Sequence, residues 1–176
     1  MWVWWWCLFL ILNIFVIWFD LSARRVPNTL IIIGLTIQTI WLLLVSFYSI
    51  DTGSITTSTN WTASLTGLIA GLVIFYPLWR FRAMGAGDVK FIALLGFCLG
   101  LPGQINALLL ASILAGIHAL ASILHLRWPA LPVGNAKPVT AKRSIPYAAY
   151  LALATLGGAG WQLYNGQPWS HALWGG

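Results

Sequence analysis

An all-α, polytopic integral membrane protein with about six transmembrane helices is the fold class that this sequence predicts. Three observations carry that expectation. Hydrophobic residues make up 60% of the 176 residues and charged residues only 7%, whereas a soluble domain carries about 25% charged residues to cover its surface. The mean hydropathy is +0.85. The apolar residues are also gathered into runs long enough to cross a bilayer, which takes about 20 residues, with polar or Gly/Pro-rich stretches between them. A soluble enzyme and a disordered tail are excluded on these grounds. The net charge of +6 does not imply a nucleic-acid partner, because nine Lys and Arg are too few and too scattered to track a phosphate backbone. The lipid bilayer is the expected surrounding.

The spans follow in order. Residues 2–19 hold no charge, and neither a basic segment before them nor a small-residue cleavage site after them marks a signal peptide. Residues 28–50 form the second run, and the Ser, Thr and Gly of 51–60 read as a polar loop. Residues 61–79 form the third. The apolar run from Phe91 to Leu101 is short, so the fourth helix is placed at 86–101, and Leu101-Pro102-Gly103 reads as a turn. Residues 104–126 form the fifth. Residues 127–143 hold four Pro or Gly and four basic residues and read as a loop. Residues 144–164 form the sixth. There is no domain boundary and no repeat, so 1–176 reads as a single membrane-embedded domain.

The charges set an orientation. Arg24 and Arg25 follow span one. Arg80, Arg82 and Lys90 flank the junction of spans three and four. Arg127, Lys137, Lys142 and Arg143 lie between spans five and six. With six spans, all nine fall on one side, which the positive-inside rule assigns to the cytoplasm. Both termini are then expected outside. Trp2, Trp4, Trp5 and Trp6 fit an interfacial belt at the outer end of span one.

Only three side chains are carboxylic acids: Asp20, Asp51 and Asp88. Asp51 falls in the outer polar loop. Asp20 and Asp88 end and open two different spans on the inner side. Ionisable groups at such depth are rare and mark functional sites. Two aspartates brought together share a proton, because like charges at close range cannot both ionise. One then acts as a base toward water while the other polarises a carbonyl, which is the chemistry of an aspartyl protease. A bland alternative stands beside this: Asp20 pairs with Arg24, four residues on, and Asp88 is a first-turn acid that complements its helix dipole. A carboxylate pair without nearby His is a poor zinc site, so no metal and no cofactor are expected.

Residues 85–90 read Gly85-Ala86-Gly87-Asp88-Val89-Lys90, a GxGD followed by x-Lys. Residues 20–28 combine Asp20 and Arg24 with Val26-Pro27-Asn28. Together they resemble the signature of type IV prepilin leader peptidases, which are GxGD-type intramembrane aspartyl proteases. The stretch Lys142-Arg143-Ser144-Ile145-Pro146-Tyr147-Ala148-Ala149-Tyr150 is similar to the Ile-Pro-Tyr/Phe segment that opens the last helix in that family. The larger members carry an additional cytoplasmic region, often with paired CxxC motifs, and also N-methylate the new N-terminus. Here Cys7 and Cys98 form no such motif. The chain therefore looks like the short form of tight-adherence (Flp) pilus systems, and methyltransferase activity is not expected.

The resemblance implies Asp20 and Asp88 as the catalytic pair. Gly85 and Gly87 remove side chains just before Asp88, which permits positive φ and lets another backbone, such as an extended substrate, come close. The rival for these glycines is a plain inter-span loop. Pro27 ends span one and pre-sets span two, and Asn28 reads equally as a turn residue. Arg24 serves as site residue or topology anchor. Lys90, two residues from Asp88, shares no helix face with it and gains no assigned role. His118 and His125 lie on one face of span five, where interhelical hydrogen bonding outweighs haem ligation because no second helix offers matching histidines. Gly67-x-x-x-Gly71 and Gly96-x-x-x-Gly100 read as close-packing seams.

The expected function is a membrane endopeptidase of the bacterial inner membrane. It would cleave the short basic leader of prepilin-like proteins with one apolar helix, on the cytoplasmic side. The rivals are a small transporter or proton-conducting protein using the same acids, and a non-catalytic pilus-assembly subunit. Transporters show internal repeats and broken helices near the midplane; here the acids stand at helix ends.

Overall fold

The computed structural model describes residues 2–23, 26–48, 60–127 and 147–165. Among them every regular element is a helix: α1 (Trp2–Ala23), α2 (Asn28–Tyr48), α3 (Trp61–Arg80), α4 (Ala86–Arg127) and α5 (Tyr147–Asn165). Four helices, α1 to α4, contain stretches long and apolar enough to cross a membrane. The 22 residues of α1 reach about 33 Å at 1.5 Å per residue, against a hydrocarbon core of about 30 Å. Arg24, Arg25, Asp51, Lys137, Lys142 and Arg143, on which the orientation argument leans, lie outside the described residues.

The expectation of about six helices is met by five, because α4 is one element broken at Gly100. There the backbone takes φ 70° and ψ 177°, a combination open essentially to glycine alone. Pro102 follows in the first turn of the second limb, where its missing N–H leaves no helical bond unmade. The limbs double back on each other. Gln104 Nε2 donates to the Ile92 carbonyl at 3.0 Å, although the two residues would stand about 18 Å apart on a straight helix. The sequence located this reversal at 101–103; the residue that makes it is Gly100.

The molecule is apolar outside and selectively polar inside. Trp4, Ile14, Trp18, Phe47, Val73 and Leu120 are exposed, while Asn13, Gln38, Gln104, Asn106 and Thr155 are buried. A lipid surrounding would accept the first set, and Asn13, Gln38, Gln104 and Thr155 are held by hydrogen bonds, which count most where no water competes. Trp5 corrects the belt expectation. It is buried, donates to Gln38 Oε1 at 2.9 Å and stacks on Phe9 with ring centroids 5.0 Å apart.

Packing order positions the site. α3 lies along α4, α4 against α5, α5 against α1, and α2 bridges α1 and α4. The α3–α4 seam is glycine on glycine: a Cβ at Gly67 would overlap the Gly96 carbonyl, and a Cβ at Gly96 would overlap that of Gly67. Gly71 faces Ala93 and the Gln104 amide in the same way. These seams join helices within the chain. α3 starts on Asn60, whose side chain caps it by accepting from the Thr62 N–H at 3.2 Å. It ends in a reversed turn, with Arg82 in the left-handed region at φ 57°, which returns the chain at once into Gly85 and α4.

Candidate active site

Three helix ends converge. Asp20 sits in the last turn of α1, Asp88 in the first turn of α4, and Ala148 and Ala149 in the first turn of α5. Asp20 is buried, with 4% of its surface exposed. That placement is costly locally, since a carboxylate near a helix C-terminus faces the negative end of the dipole. The compensation comes from 129 residues away, where the Ala149 N–H donates to Asp20 Oδ2 at 2.8 Å. The first N–H groups of a helix have no intrahelical acceptor, so the α5 start supplies ready donors and positive potential together.

Asp88 is half-buried and lies near enough to Asp20 for the two charges to interact. Its carboxylate also meets the backbone N–H groups of Gly85 and Ala148. The Gly85 contact is local, a first-turn side chain reaching back to the residue that caps its own helix. The Ala148 contact is tertiary. Both aspartates therefore turn toward the same end of α5.

The remaining motif residues arrange themselves around this pair. Lys90 Nζ donates to Asn28 Oδ1 at 2.9 Å, tying the start of α4 to the start of α2. Val26 is buried and lies against Gly87, where an added Cβ would stand 3.4 Å from both the Val26 nitrogen and its Cβ, an ordinary van der Waals distance. A Cβ at Gly85 would stand 3.0 Å from Asp88 Oδ2. Among the described glycines, only Gly100 has positive φ. Gly85 and Gly87 thus do not use the left-handed region, Gly85 lies beside the Asp88 carboxylate, and a Cβ at Gly87 would meet Val26 at an ordinary contact distance. The Pro27 carbonyl accepts from the Leu30 N–H at 3.1 Å as α2 begins. Arg24 lies outside the described residues.

The structure brings Asp20, Asp88, Gly85, Gly87, Asn28 and Lys90 into one region. What residue-by-residue reading missed is the backbone of Ala148 and Ala149. The resemblance around Ile145-Pro146-Tyr147 flagged the segment; it carried no hint that main-chain N–H groups, rather than side chains, matter there. His118, the other candidate singled out, hydrogen-bonds the Tyr150 hydroxyl between α4 and α5. Next to it, the Ser112 and Tyr147 hydroxyls lie 3.1 Å apart.

No curated protein and no solved structure matches the chain. The type IV leader peptidase family matches over residues 7–120, a stretch that contains Asp20, Asp88 and the GxGD. With that match across most of its helices, the chain belongs to the type IV leader peptidase family.

Proposed function

We propose that the chain is an aspartyl endopeptidase in which Asp20 and Asp88 hydrolyse the leader of prepilin-like proteins. Family membership implies peptidase activity and prepilin substrates in general. The single observation that carries the finer reading is the convergence of two acids from α1 and α4 on adjacent backbone N–H groups at the start of α5, in a chain with only three. One carboxylate takes a proton from water as the oxygen attacks the scissile carbonyl. The other, protonated, donates to the carbonyl oxygen as it gains charge. The tetrahedral intermediate then collapses, the C–N bond breaks, and the leaving amine takes up the proton. The pair titrates as a unit, so neither acid is assigned the base role alone.

Several finer points belong to the same proposal. Residues 1–176 act as one membrane-embedded domain in the bacterial inner membrane, with both termini outside and cleavage on the cytoplasmic face. All nine basic residues fall on that face in a six-crossing reading. The substrates are Flp-type prepilins with a short basic leader and one apolar helix. The activity is cleavage alone, since Cys7 and Cys98 supply none of the paired CxxC motifs of larger, methylating relatives.

Co-expression with a prepilin-like protein tests the reading. A leader-sized mass loss that depends on both Asp20 and Asp88 is expected. Processing that survives Asp20→Asn or Asp88→Asn, in protein shown to be inserted, would sink it.

A further inference from the structure

α1 and α5 are joined by two rungs. At one, the Ala149 N–H donates to Asp20 Oδ2 at 2.8 Å. At the other, Thr155 Oγ1 donates to Asn13 Oδ1 at 2.9 Å. Asn13, Asp20, Ala149 and Thr155 are all buried, so neither rung is shared with solvent. The methyl groups of Ala148 and Ala149 bring no chemistry. Their contribution is the N–H groups of a first helical turn, which no carbonyl of that helix can accept. Helix N-termini usually meet this need with a capping side chain of their own. Here an acceptor arrives from α1, on a side chain that its own helix dipole disfavours. The two misfits cancel only when α5 is docked. α5 also lies outside the stretch that matches the family.

We infer that the first turn of α5 is a positioning element of the active site, the Ala149 N–H holding the Asp20 carboxylate through its 2.8 Å bond in the orientation that meets Asp88. This inference rests on the proposed role of the two aspartates. Catalytic constellations must be held to within about 0.5 Å, and a lone aspartate in a helix's last turn has rotamers that lead away from its partner. Engaging Oδ2 selects one and leaves Oδ1 for the reaction. The Asn13–Thr155 rung fixes the register. Sliding α5 by one residue would rotate the donor by about 100° and carry it off the carboxylate.

Full-length chain in detergent, given a synthetic peptide with a short basic leader and an apolar helix after it, provides the test. Ala149→Pro removes the N–H, and proline is tolerated in the first turn of a helix. A hydrogen bond to a charged group is strong enough that kcat should fall about 10- to 100-fold. KM should stay within about twofold, because the lost contact is not to substrate. Ala149→Gly keeps the N–H and should recover most of the rate. Replacing residue 149 by lactic acid exchanges N–H for oxygen at nearly constant shape. It should reproduce the proline loss, and it decides the matter if the proline variant fails to insert. The inference is overturned if the lactate form, or an inserted proline form, cleaves within about threefold of wild type, well short of the loss expected for that bond. It is equally overturned if Ala149→Gly loses as much as Ala149→Pro. If wild type leaves the peptide uncut, or Asp20→Asn cuts it normally, the proposed function fails and the inference falls with it.

Discussion

The α3–α4 seam and the α1–α5 seam solve the same problem in opposite ways. Between α3 and α4 the helices meet because side chains are absent: Gly67 and Gly96 touch backbone to backbone. Between α1 and α5 they meet because polar groups are present: Asn13 with Thr155, and Asp20 with the Ala149 N–H. In lipid, apolar surface gains nothing by leaving the solvent, so close packing and internal hydrogen bonds drive helix association. The first seam uses packing and is scaffold. The second uses hydrogen bonds, and one of its rungs carries a proposed catalytic carboxylate. The lesson is that stability and chemistry are drawn from different contacts, so they should be separable by mutation.

The largest expected effect isolates chemistry from scaffold. Asp20→Asn and Asp88→Asn should each lower prepilin processing about 1,000-fold or more while the protein remains inserted, because groups that act as a unit fail together. For the same reason the double variant should be little worse than either single one. Immunoblots of processed and unprocessed pilin against membrane-fraction abundance measure both quantities. An additive double mutant would break the unit.

The scaffold seam should respond in the other order, with stability lost first. Gly67→Val places a branched side chain where the Gly96 carbonyl stands, and forcing the helices apart should cost about 3 kcal/mol, at the upper end of overpacking effects. Thermal unfolding in detergent reads it, and activity per folded molecule should be spared. A folded, inactive Gly67→Val protein would show that the two seams are not independent.

Gly100→Ala sharpens the same division at the hairpin of α4. A side chain is strained at φ 70° and ψ 177°, so a loss of about 1–3 kcal/mol is expected. The Gln104–Ile92 hydrogen bond should loosen with it, which hydrogen exchange on the second limb would detect.

A smaller change belongs to the chemical seam. Thr155→Val leaves the Asn13 carbonyl without its donor at a buried position. Interhelical hydrogen bonds in membranes contribute about 0.5–2 kcal/mol, so the melting shift should be modest. Processing should nevertheless fall by more than the unfolded fraction explains, because α5 carries the Ala149 donor. A variant that melts early but cleaves normally would remove that rung from the site.

The smallest effect serves as the control. Asp51→Asn, in the stretch that the sequence reads as a polar loop apart from the pair, should alter processing and stability within about 0.5 kcal/mol, the range of substitutions away from core and site. A strong loss of cleavage would mean that the third acid of the chain belongs with the other two.

The two seams were not equally legible. Glycines at i and i+4 are local, so Gly67/Gly71 and Gly96/Gly100 stand out in the sequence as packing positions. Their uses then diverged: Gly67, Gly71 and Gly96 let helices touch, while Gly100 breaks α4. Asn13 and Thr155 gave no signal, because their partnership spans 142 residues and single buried polar residues in apolar runs do not announce a partner. Trp5 misled for a related reason. A tryptophan near a helix end reads as interfacial whichever way it faces, and only the neighbouring α2, with Gln38, turns it inward.

Composition and run length determined the membrane setting and the helical class, since bilayer thickness and backbone hydrogen bonding leave few other solutions. The scarcity of carboxylates and the placement of Asp20 and the GxGD at the ends of two spans determined where chemistry was to be sought. The tertiary structure alone decided that the two aspartates turn toward the start of α5 and that Lys90 reaches Asn28. The physical reason is that these contacts join elements far apart in the chain, and those at the two aspartates use backbone groups. An N–H donor is the same at every residue but proline, so no residue letter marks the one that a folded helix end will present to a carboxylate.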